Sequence, residues 1–226
     1  MKAIRINFGL SLMILSVFSL SLLQFCSDKD DGRTIDPDEN TGGTIETFTD
    51  TRDGQIYDIA EIGNQTWFIE NLNYQKTDSW LYDNSSSNGS TYGRLYTWDA
   101  ANSACPSGWH LPTDEEWKEL EMHLGMSQSE ADDFGNRGTD EGKKLKSTSG
   151  WLNNGNGTNS SGFNALPGGL RATTGGYAYL GSAGYWWTAT DPYGLPLNRS
   201  LGDDSDRIQR NPAGSELGSS VRCVKN

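Results

Sequence analysis

The stretch Cys105-Pro-Ser-Gly-Trp-His-Leu-Pro-Thr-Asp-Glu-Glu-Trp117 limits the architecture of this chain more than any other. Thr113 followed by Glu116 has the spacing of a capping box, in which each side chain satisfies a backbone N–H at the other's position. Pro112 stands just ahead, and Asp114, Glu115 and Glu116 place negative charge on the positive end of the helix dipole. Trp117, Leu120 and Leu124 repeat as one apolar stripe, and Gly125 supplies a stop, so the spacing predicts a helix over 114–124. A second cysteine lies almost at the end, in Val221-Arg222-Cys223-Val224. A bond from Cys105 to Cys223 would tie the helix entrance to the last strand and close a loop of more than a hundred residues.

Residues 1–25 read as an export signal rather than fold: Lys2 and Arg5 precede an apolar run from Leu10 to Leu23 that is short for a membrane span. The run ends Leu22-Leu23-Gln24-Phe25-Cys26, which resembles a bacterial lipobox with a bulky Phe25 before the cysteine. That resemblance implies cleavage before Cys26 and acylation of its sulfur and amino group; the alternatives are a secreted protein with a free Cys26 or an uncleaved anchor. Ser27-Asp28-Lys29-Asp30-Asp31 resembles the acidic signal that sends lipoproteins of Bacteroidetes to the outer face of the outer membrane, although it also reads as a solvated linker. Residues 26–52 are rich in Asp, Thr and Gly and read as a flexible tether with a short ordered end.

Losing Lys2 and Arg5 with the signal takes the formal charge from −12 to −14. So acidic a chain lacks the basic footprint of nucleic-acid binding, and its body is not drawn to anionic membranes. Attachment to a membrane would come from the lipid anchor alone. With Cys26 assigned to lipid, Cys105 and Cys223 form the one remaining pair, and an oxidising compartment makes a disulfide the default; the alternative is two separate free thiols. Their spacing suits no zinc motif, and no cofactor is implied.

From 53 to 226 the chain suits one domain without internal repeats. Alternating apolar positions at 55–62 and 66–72 flank Gly63-Asn64 and predict a β-hairpin. Residues 73–92 read as loop with a low-complexity patch, and Gly93 to Ala101 as either a strand or a helix start. Helical stretches are predicted near 128–134 and 140–146. Strands are predicted at 163–171, 184–190, 197–201, 207–210 and 219–224, separated by glycine-rich loops. The fold class is α+β with sheet dominant.

Asp53-Gly54, Tyr57, Ile62-Gly63-Asn64-Gln65, Trp67 and Glu70-Asn71-Leu72 begin a series of motifs continued by Cys105 to Thr113 and Glu116-Trp117. Gly162-Phe163-Asn164-Ala165-Leu166-Pro167-Gly168-Gly169, Tyr185-Trp186-Trp187-Thr188 and Ser220 to Val224 complete it. In this order the blocks resemble the Fibrobacter succinogenes major paralogous domain, a family common in exported lipoproteins, from about residue 53 to the C-terminus. The resemblance implies a distant tie to the C-type-lectin-like fold and to the formylglycine-generating enzymes. It implies no molecular activity.

Catalytic chemistry finds little support. The paired cysteines of the formylglycine-generating enzymes have no counterpart once Cys105 and Cys223 are joined. His110 and His123 are the only histidines, without a Gly-x-Ser-x-Gly elbow, and read as structural. Asp203, Asp204 and Asp206 form the densest oxygen cluster and are weak calcium candidates; between two antiparallel strands they read better as a turn. The remaining signal is aromatic. Trp67, Trp109, Trp117 and one of Trp186 and Trp187 fall on core positions, and adjacent tryptophans in a strand must point opposite ways. Trp80, Tyr82, Tyr92, Trp187 and Tyr193, with Tyr177 and Tyr179 nearby in glycine-rich sequence, are candidates to stack on sugars or anchor a protein; the alternative is that they pin loops to the domain. The expectation is a surface-anchored, non-enzymatic binding module for a polysaccharide or protein. A structural envelope or fimbria-associated component is the second reading, and an enzyme acting on glycans the third.

Overall fold

The computed structural model describes residues 46–226; the export signal, Cys26 and most of the tether lie outside the described residues. The chain begins with β1 (Glu46–Thr49), β2 (Ile56–Ile62) and β3 (Gln65–Phe68), then β4 (Ser79–Trp80), a 3-10 turn (Tyr82–Asn84), α1 (Ser86–Tyr92), β5 (Leu95–Tyr96) and α2 (Trp98–Ala101). The middle holds β6 (Trp109–His110), α3 (Asp114–His123), α4 (Gln128–Asp132), β7 (Gly135–Arg137) and α5 (Glu141–Leu145). The last third is β8 (Gly168–Arg171), β9 (Tyr177–Leu180), β10 (Ala183–Trp187), β11 (Leu197–Gly202), β12 (Ile208–Pro212) and β13 (Val224–Lys225).

One sheet runs β1-β2-β3-β13-β6, a second runs β7-β12-β11-β10-β8-β9, and β4 pairs with β5. The named strands pair antiparallel except β8 with β10. The architecture is α+β, and a disulfide joins Cys105 to Cys223 across 118 positions. Strand β1 pairs along β2 from Glu46, so the folded domain begins ahead of residue 53.

The capping box forms in full at the head of α3: Thr113 Oγ1 accepts from the Glu116 N–H at 3.2 Å, and Glu116 Oε2 accepts from the Thr113 N–H at 2.7 Å. The β2–β3 hairpin turns on Gly63-Asn64 with Ile62 opposite Gln65, and Gly63 takes a φ of +64° that suits glycine.

Two hydrophobic cores flank the sheets. Trp67, Trp117, Leu120, Phe163, Trp186 and Ile208 lie in one; Tyr57, Phe68, Tyr96, Trp109, Trp187 and Cys223 lie in the other. Neighbours in a strand point to opposite faces. Trp67 and Phe68, like Trp186 and Trp187, therefore serve one core each. Both indoles of the Trp186–Trp187 pair are buried. The expectation that one of them is free rested on correct pleat geometry but assumed one wet face, whereas here both faces are covered.

Three local expectations change. The segment read as loop at 73–92 contains β4 and α1. Its Ser/Asn/Gly composition is a poor helix former. Packing decides instead: Gly89 lies so close to Leu81 that a Cβ there would stand 2.6 Å from Leu81 Cδ2, and Asn88 Nδ2 donates to Tyr82 O at 3.1 Å. Gly93 to Ala101 holds a strand and then a helix, capped by Thr97. The run 219–224 is a regular strand only from Val224, because the chain threads between elements and changes partner at each step. Ser219 O accepts from Tyr96 N, Ser220 O from Trp187 N, Val221 O from Leu72 N and Cys223 O from Phe68 N.

Candidate functional site

Several motif residues are spent on the interior. Asn71 Oδ1 accepts from Arg222 Nε at 2.7 Å and from Trp186 Nε1 at 2.9 Å, while its Nδ2 donates to Tyr92 O at 2.9 Å. The fully buried Arg222 also donates to Phe68 O, Phe163 O and Asn164 O. Burial pulls its pKa down to about 9, with Glu70 acting in the other direction, so the guanidinium is charged at neutral pH. Four motif blocks thus meet at one buried cation. Asn71, Trp186 and Arg222 build the scaffold and present no chemistry to solvent.

The aromatic candidates separate. Trp187 is fully buried and donates from Nε1 to Tyr96 O at 2.8 Å, which corrects its reading as a ligand contact: a ring sealed in the second core cannot meet a sugar. Tyr82 is buried as well, its ring 5.1 Å from that of Tyr177, whose hydroxyl donates to Asn84 Oδ1 at 3.2 Å. Trp80 is half-buried beneath the Arg171 guanidinium, 3.9 Å from its ring centroid. Tyr92 is half-buried over Gly168. These four rings do gather around β8 and β9, mainly to pin the 80–92 segment. Tyr193 is 76% exposed, in a separate loop.

The acidic turn follows β11. Asp203 accepts from Asn153 Nδ2 at 2.8 Å, and Asp206 faces Lys143 at 3.5 Å and Lys146 at 3.9 Å. Among the described residues no group of three or more His, Cys, Asp or Glu is placed to hold a metal ion. The ring nitrogens of His110 lie 2.7 Å from Glu116 Oε1 and 2.6 Å from Asn226 Oδ1, tying the C-terminus to the head of α3.

The residue that sequence reasoning undervalued is Tyr179. Among the described residues eight non-glycine residues have positive φ; seven are Asn or Asp, which tolerate it, and the eighth is Tyr179 at +68°. A left-handed backbone costs an L-residue roughly 1–2 kcal/mol, and side chains of this bulk rarely accept it. Its carbonyl accepts from the Ser182 N–H at 3.0 Å in a turn with Gly181 at φ +80°, and that turn presents the ring to solvent at 55% exposure. The ring stands 6.1 Å from that of Tyr185.

Together they border a cleft of about 240 Å³ with Ser200, Gln209, Asp203 and Asp204 in its walls. Burial, then the neighbouring Tyr179, raises the Tyr185 phenol above its ordinary pKa, so it is protonated at neutral pH. Leu152 packs on Gly181 and Asn153 holds Asp203, which braces both ends of the cleft from one loop. Two ring faces beside hydroxyl, amide and carboxylate groups can stack on one face of a flat polar ligand and hydrogen-bond its edge.

A model of the Fibrobacter succinogenes major domain matches residues 60–225. The chain belongs to this family. No curated protein and no solved structure matches it significantly. The major-domain match takes in Asn71, Phe163, Trp186 and Arg222, the residues that meet in the interior, and also the cleft.

Proposed function

We propose that this major-domain protein is a non-enzymatic binding module, held at the cell surface by lipid on Cys26, whose ligand is a polysaccharide. The observation that carries the reading is Tyr179, an exposed ring kept over the cleft by a backbone conformation that disfavours it. Strain of this kind persists where the surrounding structure over-determines it, and it clusters at ligand sites. The Asp-, Thr- and Gly-rich sequence between Cys26 and β1 supports the reading, because such a composition suits a spacer between a lipid anchor and the domain.

The test is a glycan panel probed with the purified full-length chain and with Tyr179→Ala and Tyr179→Gly. Loss of one stacking ring should weaken binding about five- to tenfold. Tyr179→Gly should lose binding while gaining up to about 1 kcal/mol of stability, because glycine accepts the left-handed backbone. A partner that is a protein, again sensitive to Tyr179, would transfer the site to protein recognition. Binding unchanged in both variants, or no partner at all, would remove the proposal.

A further inference from the structure

The cleft opens onto a face of the six-stranded sheet whose side chains form a row. Tyr185 on β10 stands opposite Ser200 on β11, Ser200 opposite Gln209 on β12, and Gln209 opposite Asn136 on β7. Directly paired residues share a face, so the four side chains point the same way, while Trp186, Arg199 and Arg210 point inward. Gln209 and Asn136 are exposed, Tyr185 is half-buried, and Ser200 is 7% exposed and forms the floor of the cleft between Tyr185 and Gln209. Every member is uncharged, in a chain where 21% of residues are charged. At the near end stand Tyr179 and the carboxylates of Asp203 and Asp204.

Strands lie roughly 4.8 Å apart, so the row runs roughly 14 Å, about the length of three pyranose units in an extended chain. Amides and hydroxyls repeating at that interval match the hydroxyl edges of successive sugars, and nothing in the row compensates an anionic substituent. We infer, resting on the reading of the cleft as a polysaccharide site, that the row Tyr185–Ser200–Gln209–Asn136 continues it as a track for a run of about three neutral sugar residues in the interior of a glycan chain. Tyr179 marks the first position of the track and Asn136 the last.

Titration calorimetry of the full-length chain with neutral gluco- and manno-oligosaccharides of one to six units tests this. Affinity should climb at least tenfold from one unit to about three or four and then level off. Asn136→Ala should remove most of that climb and leave the one- and two-unit ligands unchanged, while Tyr179→Ala should weaken every length. Trimers carrying a uronate should bind at least tenfold more weakly than neutral ones. Affinity independent of length, or a climb untouched by Asn136→Ala and Gln209→Ala, would overturn the track and leave the single-cleft reading standing. Uronate trimers binding as well as neutral ones would overturn its neutrality. An absence of binding to any saccharide sinks the track together with the polysaccharide reading.

Discussion

The two faces of one sheet differ in a way that inverts the usual expectation of charge outside and neutrality inside. On the inner face of β7, β11 and β12, Arg137, Arg199 and Arg210 are buried against Asp114 and Glu121 of α3. Arg199 spans both acids, at 2.8 Å from Asp114 and 2.7 Å from Glu121, and Arg210 grips Asp114 through two nitrogens. The outer face of the same strands carries Ser200, Gln209 and Asn136. Buried ion pairs seldom add net stability over apolar packing, but breaking one leaves an uncompensated charge. The inner pairs therefore act as a register lock between helix and sheet, a part the uncharged outer row does not share.

That contrast can be broken from the inside first. The Cys105–Cys223 bridge anchors the approach to α3, the helix that delivers both carboxylates. A Cys105→Ser/Cys223→Ser double variant should lose about 4–5 kcal/mol, read by denaturant unfolding under oxidising conditions. Asp114→Ala, which strips Arg210 of its carboxylate and leaves Arg199 only Glu121, should cost about 3–5 kcal/mol in the same measurement. A cost below 1 kcal/mol would show that these pairs lock nothing.

Arg222 sharpens the comparison, because it is buried with carbonyl and amide acceptors in place of carboxylates. Arg222→Met should cost about 2–3 kcal/mol, mainly by orphaning Asn71 Oδ1 and the main-chain carbonyls it serves. Acid separates the two arrangements. Burial by itself would raise the Asp114 carboxyl, but the hydrogen bonds and charge of Arg210 and Arg199 outweigh it and hold its pKa well below the usual range. A depressed carboxyl contributes stability that is whole above its unfolded value near 4 and drains away as pH falls toward the folded one. Stability should therefore fall below about pH 4 in the parent chain, and the fall should be shallower in Asp114→Asn, measured against the neutral-pH value of each. Smallest of all, Gln209→Ala on the outer face should change stability by less than about 0.5 kcal/mol while altering glycan affinity. An outer-face substitution that unfolds the domain would erase the distinction.

Much of the scaffold was legible in the residues. The Thr113–Glu116 box, the Gly63-Asn64 hairpin and the 203–206 turn are local devices, fixed by contacts a few positions apart, and each stands where its residues predict. Helix α1 escaped because its stability comes from Gly89 against Leu81 and not from its own propensities. The aromatic candidates were less legible. An aromatic surplus pointed to recognition, but it ranked Trp187 above Tyr179, since an adjacent pair in a strand says nothing of whether both faces are covered.

By itself, then, the sequence determined the capped helix, the hairpin, the α+β class, the cysteine pairing once Cys26 was set aside, and the family. Tertiary structure alone decided which aromatic rings stay in water, which arginine meets which acid, and which four uncharged side chains fall into line. The physical reason is range. Caps and turns are settled within a few residues along the chain, whereas the Asp114–Arg210 pair and the Ser200–Gln209–Asn136 alignment depend on strand register between segments far apart in it.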